Sequence, residues 1–252
     1  MCDKMKKYLI FTVASLLLMP SCLTKKEKPG ELTRTSGEVK LVTLDPGHFH
    51  AALVQKNSYK QVADEVYVYA PEGDDVQEHL NKINGYNTRT DSPTKWKEVV
   101  YLGSDFLEKM LSEKKGNVMI TAGNNGKKTE YIKQTLMAGI HVLADKPMAI
   151  NSENFGLLKE CFDIARGKGI LLYDIMTERH EITTVLQREL SCIPAVYGEQ
   201  LKGTPEEPAI VKESVHHFFK VVSGTPLKRP AWFFDVNQQG EGIVDVTTHL
   251  VD

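Results

Sequence analysis

The sequence predicts an α/β protein whose larger, N-terminal part is a doubly wound parallel sheet. Short apolar runs rich in Val, Ile, Leu and Tyr recur along the chain, as strands buried on both faces require. Helical patterns separate these runs, and strand–helix–strand repetition of this kind builds parallel sheets. The 252 residues are 41% hydrophobic and 25% charged, an ordinary globular balance that supports a core without metal or disulfide staples. At about 150 residues per domain, one large or two small domains are expected.

The strand candidates are Val39–Leu44, Val66–Ala70, Asn117–Thr121, Ile140–Ala144 and Ile170–Tyr173. Phe106, Leu107, Met110 and Leu111 repeat at helical spacing, with Gly116 as punctuation. Tyr131, Ile132, Thr135, Leu136 and Ala138 do the same, and Gly139 stands where a helix ends. Asn151-Ser152 offers capping oxygens to a helix closed by Gly167 and Gly169. Between Gly73 and Glu98 the alternation breaks. A helix over Asp75–Ile83 followed by an inserted loop accounts for the length. Right-handed crossovers place the loops after each strand on one edge, where such sheets bind ligands.

From residue 176 the pattern changes. Thr183–Leu190 reads as a helix, Val196–Leu201 and Val215–Val222 as strands, and a segment containing Trp and Phe leads to Asp252. These elements are too few to close a second sheet, so residues 176–252 are expected to be the start of an α+β domain, incomplete as it stands.

The N-terminus does not belong to the fold. Lys4, Lys6 and Lys7 precede an apolar run from Tyr8 to Met19, followed by Pro20-Ser21-Cys22. A charged stretch, a short apolar stretch and a small residue at the cut make an export signal, and the run is shorter than the ~20 residues of a membrane span. Met5 is an equally good start. The segment resembles a bacterial lipoprotein signal, which implies lipid on Cys22, although Met19-Pro20 departs from the usual residues; plain secretion is the alternative. Residues 1–22 are read as signal, 23–38 as a polar tether and 39–175 as the first domain. This organisation implies a cell-envelope lipoprotein held at a membrane by its anchor. Of the remaining cysteines, Cys161 shares a helix face with Phe155, Leu158, Phe162 and Ala165 and reads as core; a bond to Cys192 is left open. The net charge of −2, with no basic cluster, argues against nucleic acid.

The chemistry-bearing segments lie at strand ends. After the first strand stands Asp45-Pro46-Gly47-His48-Phe49-His50, where a dinucleotide fold carries G-x-G-x-x-G. Only Gly47 is kept. A carboxylate beside pyrophosphate is unfavourable, so Asp45 must turn away, or the cofactor sits differently or is absent. His48-x-His50 also admits a metal reading, but it needs further ligands at later strand ends. His141 begins its strand and no other strand end supplies a histidine before His180, so no metal is assigned. Glu72, after the second strand, stands where an acid takes the ribose hydroxyls; Asp74 is nearly as good.

Two segments carry a family resemblance. Asn117–Thr121 runs into Ala122-Gly123-Asn124, and Gly139-Ile140-His141-Val142-Leu143-Ala144-Asp145-Lys146-Pro147 follows. The pair resembles the T-P-N and A-G-x-H-V-x-x-E-K-P segments of the Gfo/Idh/MocA sugar oxidoreductases. A third, Gly240-Glu241-Gly242-Ile243-Val244-Asp245-Val246-Thr247-Thr248-His249, is similar to that family's glycine-rich, Asp- and His-containing helix. In a helix, Asp245 and His249 would share one face. Their distance from Lys146 exceeds the family norm, implying an insertion near Thr204–Pro208 or Leu227–Val236.

The resemblance implies a Rossmann-like first domain that binds NAD or NADP through Gly47, His48, Phe49, His50, Glu72, Ala122, Asn124, Lys146 and Pro147. It implies catalysis by Lys146, with Pro147 in cis, by His249 as acid/base and by Asp245 orienting it. A lysine there stabilises negative charge on a sugar oxygen. Lys146, Arg179, His180, Asp245 and His249 would touch a carbohydrate substrate; for Glu178–Glu181 a solvated helix start explains the residues nearly as well. A complete second domain would support homo-oligomers. Export removes the free nicotinamide pool, which implies a tightly held cofactor recycled in each turnover, with net glycoside hydrolysis as one outcome. The rivals are a non-catalytic sugar-binding lipoprotein without cofactor and, third, a metal-dependent hydrolase.

Overall fold

The structure, a computed structural model, describes residues 35–176, 178–211, 213, 219–222 and 224–251. The signal segment, Cys22 and most of the tether lie outside them, as does much of the strand expected over Val215–Val222. Among the described residues no helix is long and apolar enough to cross a membrane.

Six parallel strands form the sheet: β1 (Leu41–Leu44), β2 (Glu65–Ala70), β3 (Lys97–Leu102), β4 (Val118–Thr121), β5 (His141–Ala144) and β6 (Leu172–Asp174). Their order is β3-β2-β1-β4-β5-β6. The chain winds outward from β1 in one direction, then returns to β4 and winds in the other. The switch point, where such sheets take ligands, therefore falls at the strand-end loops of β1 and β4.

Every residue of β1 is buried, because helices cover both faces. Helices α1 (His50–Leu53) and α2 (Asp74–Thr88) lie on one face, where Ala51, Ala52, Ile83 and Tyr86 meet Leu41, Val66 and Ile120. Helices α3 (Phe106–Glu113), α4 (Asn125–Met137) and α5 (Ser152–Lys168) lie on the other. There Met110, Ile132, Leu136 and Cys161 meet Val42, Leu44, Met119 and Val142. Each such fully buried aliphatic side chain stabilises by roughly 1.5–3 kcal/mol, so the central strands are the most secure part of the chain.

The five expected strands are present to within two residues at each end. The sixth, β3, was hidden in the long break after Gly73. It is an edge strand with Val99 and Val100 exposed, so it lacks the apolar continuity of the inner strands. The helix expected over Asp75–Ile83 runs on to Thr88. The loop behind it is tied down by Trp96, whose indole N–H donates to the Gln55 carbonyl, and by Asn87, which accepts from Thr94 Oγ1 and Trp96 N–H. The left-handed position closing α3 is taken by Lys114 rather than Gly116. The Asn151 carboxamide caps α5 by accepting from Asn154 N–H, and Gly169 ends it at φ +66°. Cys161 is buried and free, and Cys192 is exposed and free. Phe155 and Phe162, expected beside Cys161 in the core, are exposed.

After β6 come α6 (Ile182–Ser191) and α7 (Pro194–Tyr197), a two-stranded hairpin of β7 (Val221–Val222) and β8 (Thr225–Pro226), and the short helices α8 (Val236–Gln239), α9 (Gly242–Asp245) and α10 (Thr248–Val251). The strand expected over Val196–Leu201 is absent: Pro194 starts α7 instead, and Leu201 is exposed.

Candidate functional site

The turn after β1 is held from both sides. Gly47 N–H and His48 N–H both donate to the Ala122 carbonyl, at 2.9 and 2.7 Å. Ala122 thus closes the turn through its backbone and its side chain is wholly buried. A Cβ on Gly123 would stand 2.2 Å from the Asp45 carbonyl oxygen, so glycine there is a condition of the β1 and β4 loops meeting. Asp45 adopts the left-handed region at φ 47°. Its carboxyl turns aside to accept from the Tyr131 hydroxyl at 3.0 Å, and burial raises its pKa. The awkward carboxylate of the first-glycine position is thereby removed from the turn's open side.

Asp145, next after β5, receives both histidines. His48 Nδ1 lies 2.7 Å from one carboxylate oxygen and His50 Nδ1 2.8 Å from the other. Burial pushes His48 down to about 4, so at neutral pH its imidazole is uncharged. An ionised carboxylate only accepts, so each Nδ1 carries a proton. Burial alone would raise Asp145, but the two imidazoles outweigh it and hold the carboxyl well below the usual range. These three residues are the one cluster among those described whose ligand atoms stand close enough to hold a metal, all within 4.8 Å of one another.

Lys146 follows, and its bond to Pro147 is cis. Its Nζ donates to Asp245 Oδ1 at 2.7 Å and to the Asp245 carbonyl at 3.2 Å, with both side chains buried. Burial alone would raise Asp245; Lys146 outweighs it and the carboxyl is lowered. Beneath the turn, Lys128 is fully buried and donates to Asn125 Oδ1 and to the carbonyls of Asp145 and Pro147. Burial pushes this amine down to about 8.

The C-terminal segment lies across these loops. Trp232 donates its indole N–H to Asp75 at 2.9 Å. Asn124, which also caps α4, donates to Gln238, and Asn125 donates to Gln239. Together they form a strap over the switch point.

Other expected residues lie elsewhere. Asp245 and His249 do not share a continuous helix: α9 stops at Asp245, and Thr248 Oγ1 donates to the Asp245 carbonyl. His249 Nδ1 instead lies 2.7 Å from Glu178. Arg179 pairs with Asp174 at the end of β6, and His180 is exposed. Glu72 and Phe49 line a cleft of about 540 Å³ over the ends of β1 and β2, together with Gly47, His79, Arg229 and Trp232. Sequence reasoning missed Lys128, Trp232 and Gln239, whose roles exist only through contacts distant in the chain.

Residues 47–173 match the family described as "Oxidoreductase family, NAD-binding Rossmann fold", GFO_IDH_MocA. The chain belongs to the Gfo/Idh/MocA oxidoreductase family. Residues 186–252 match a second family, described as "Putative oxidoreductase C terminal domain". A solved structure of a "putative oxidoreductase" from Parabacteroides merdae ATCC 43184 is 75% identical, with a TM-score of 0.83, covering 87% of this chain and 50% of its own. The chain thus spans about half that relative's length. Biliverdin reductase from Synechocystis sp. PCC 6803, solved with biliverdin and NADP+, is 14% identical with a TM-score of 0.52, covering 82% of this chain and 54% of its own. An NAD-binding protein from Listeria innocua is 17% identical at 0.51, covering 85% and 53%. The latter two share the fold alone. No curated protein matches the chain.

The cleft fits the adenosine end of the family's dinucleotide. Its volume is that of a ligand site, Glu72 stands at the end of β2, and buried His79 has both ring nitrogens without a hydrogen-bond partner. The nicotinamide end is narrower. Beside Lys146 and Asp245 the open space is about 10 Å³, bounded also by Trp232 and Gln239. With Trp232 and Gln239 where they stand, that space does not admit a nicotinamide ring.

Proposed function

We propose that this chain carries the cofactor-binding and proton-handling part of an NAD(P)-dependent oxidoreductase acting on a sugar or sugar derivative. One observation carries the reading. The Lys146 ammonium stands on the turn after β5 at the strand-end edge of the sheet, held by buried Asp245 and beside His48 and Trp232, which also line the cleft. The nicotinamide, when bound, supplies a hydride acceptor or donor.

The protein's own residues do the rest. Glu72 would receive ribose hydroxyls, and the Gly47 backbone would allow close approach of the pyrophosphate. Lys146 Nζ would donate to the substrate oxygen whose carbon changes oxidation state, stabilising negative charge there. Asp245 aims Nζ and balances its charge in a buried setting. His249, now beside Glu178, is an acid/base candidate only if the segment after Asp245 shifts toward Lys146.

Export and lipid attachment at Cys22 complete the reading and rest on the Lys4–Met19 segment with its following Pro-Ser-Cys. A protein outside the cytoplasm would hold its cofactor tightly and return it to its starting state in each turnover, with net hydrolysis of a glycoside as one result.

The test is to denature the purified chain and identify what it releases. NAD or NADP in near-stoichiometric amount is expected, along with activity on a sugar panel that falls by 10²–10⁴ in Lys146→Ala. No released nucleotide, and no binding of added NAD or NADP, would overturn the proposal. A second reading, a cofactor-free carbohydrate binder, is favoured by the Trp232 indole lying against Gly47. Sugar binding without any nucleotide would support it.

A further inference from the structure

We propose that His48, His50 and Asp145 form a binding site for one divalent transition-metal cation of the Zn2+ class. The site borders the cleft that suits a dinucleotide, whose lining includes His48, and the proposal does not depend on the redox reading.

The argument starts from how a buried carboxylate chooses partners. Asp145 is 2% exposed, directly precedes Lys146, and its backbone carbonyl accepts from the buried Lys128. Either ammonium would neutralise its side chain. Neither does: Lys146 is committed to Asp245, and Lys128 to Asn125 and two backbone carbonyls. Both Asp145 oxygens go instead to imidazole nitrogens. Two imidazole nitrogens and one carboxylate, all converging, are the donor set of borderline cations.

The geometry suits such an ion. Zn–N and Zn–O bonds are about 2.0–2.2 Å, so ligand atoms around one ion stand roughly 3 Å apart. The two N···O separations here, each to a different oxygen of Asp145, are 2.7 and 2.8 Å, and one ligand atom from each residue lies within 4.8 Å of the other two. The cation would replace the two Nδ1 protons, which leave to solvent. His48 comes from the turn after β1, fixed by the paired bonds of Gly47 and His48 to the Ala122 carbonyl, and His50 is the first residue of α1. Asp145 comes from the neighbouring loop, fixed by its N–H bond to the Thr121 carbonyl. The donors are thus positioned in advance by the backbone of the sheet edge.

Three protein ligands leave a coordination position open. The small cleft beside His48 and Asp145 is lined also by Lys146, Gln239 and Asp245, so the open position faces the lysine. A hydroxyl or carbonyl oxygen bound there would be polarised by the ion and would accept from Lys146.

The test uses the full chain, stripped of metal and reloaded. Titration of Zn2+ against a chromophoric chelator is expected to show one tight site per chain. Co2+ in its place should give visible d–d bands whose intensity reports the coordination number. His50→Ala and Asp145→Asn should each weaken Zn2+ binding by at least 100-fold, whereas Cys192→Ser and His180→Ala should leave it unchanged. Thermal unfolding of the metal-free variants shows whether they remain folded. His50→Gln, which keeps a polar group of similar reach, is the second variant should His50→Ala fail to fold. Absence of stoichiometric Zn2+ binding by the wild-type chain overturns the proposal, as does tight binding that survives in folded His50→Ala or His50→Gln.

Discussion

The indole of Trp232 lies against the backbone of Gly47, and its N–H donates to Asp75 at 2.9 Å. A Cβ on Gly47 would meet the ring at 2.9 Å and the Asp75 carboxylate at 3.0 Å. The strap and the first turn are therefore fitted to each other. Gly47→Ala is expected to destabilise by about 1–3 kcal/mol through overpacking. Most of that loss should disappear when Trp232→Ala is the starting protein. Strictly additive effects in thermal unfolding would show that the two residues do not touch in solution.

The buried Lys146–Asp245 pair gives a second double-variant prediction. Removing one partner leaves a buried charge unpaired, so Asp245→Ala should cost about 3–5 kcal/mol. Lys146→Met combined with Asp245→Leu should recover most of it, because well-packed apolar groups replace a buried ion pair at little cost. Urea unfolding of the four proteins gives the coupling. A double variant as unstable as Asp245→Ala would mean that the pair's packing matters, not its charge.

Stability at low pH should depend on His79. Burial, then Lys82, pushes its imidazole down to about 4 from 6.5. Below pH 6.5 the unfolded chain takes up a proton that the folded chain refuses. Stability is therefore complete above pH 6.5 and declines as pH falls toward 4, by on the order of 1–3 kcal/mol. His79→Leu should flatten this acid limb between pH 7.5 and 5. An unchanged slope in denaturant midpoints would place the imidazole in contact with water.

Glu98 should act in the opposite sense. Burial raises its carboxyl to about 7 from 4.5, against the Gln55 amide that donates to it at 2.6 Å. As pH rises through 4.5 the unfolded chain releases a proton that the folded chain keeps, so stability is lost between pH 4.5 and 7. Glu98→Gln should raise the melting temperature by a few degrees at pH 8, on the order of 1–2 kcal/mol, and leave it nearly unchanged at pH 4.5. Equal shifts at both pH values would contradict the titration.

Local patterns in the sequence carried the sheet further than the site. Strands β1, β2, β4 and β5 are legible because burial on both faces leaves unbroken apolar runs. The edge strand β3 is not, since Glu98, Val99 and Val100 obey no single pattern. Lys146 and Asp245 stand out through resemblance, and the structure joins them directly. The expected pairing of Asp245 with His249 on one helix face fails for a local reason. Val244, Val246, Thr247 and Thr248 crowd the turn with β-branched side chains, which weakens helix continuity. Lys128 looks like one of two solvated lysines, Lys127-Lys128, until the fold covers it. The histidines and Asp145 are separated by 95 and 97 positions, a distance that no window of sequence spans.

The bridge from Asp145 to His48 and His50 reaches over β4, which lies between β1 and β5 in the sheet. It fastens the loops after β1 and β5 as a crossbar fastens two posts. A change of backbone angle in the first turn is therefore transmitted to the residue that immediately precedes Lys146. Tolerance to substitution in residues 45–50 should then be set by where Lys146 comes to rest, even for side chains that never approach a ligand.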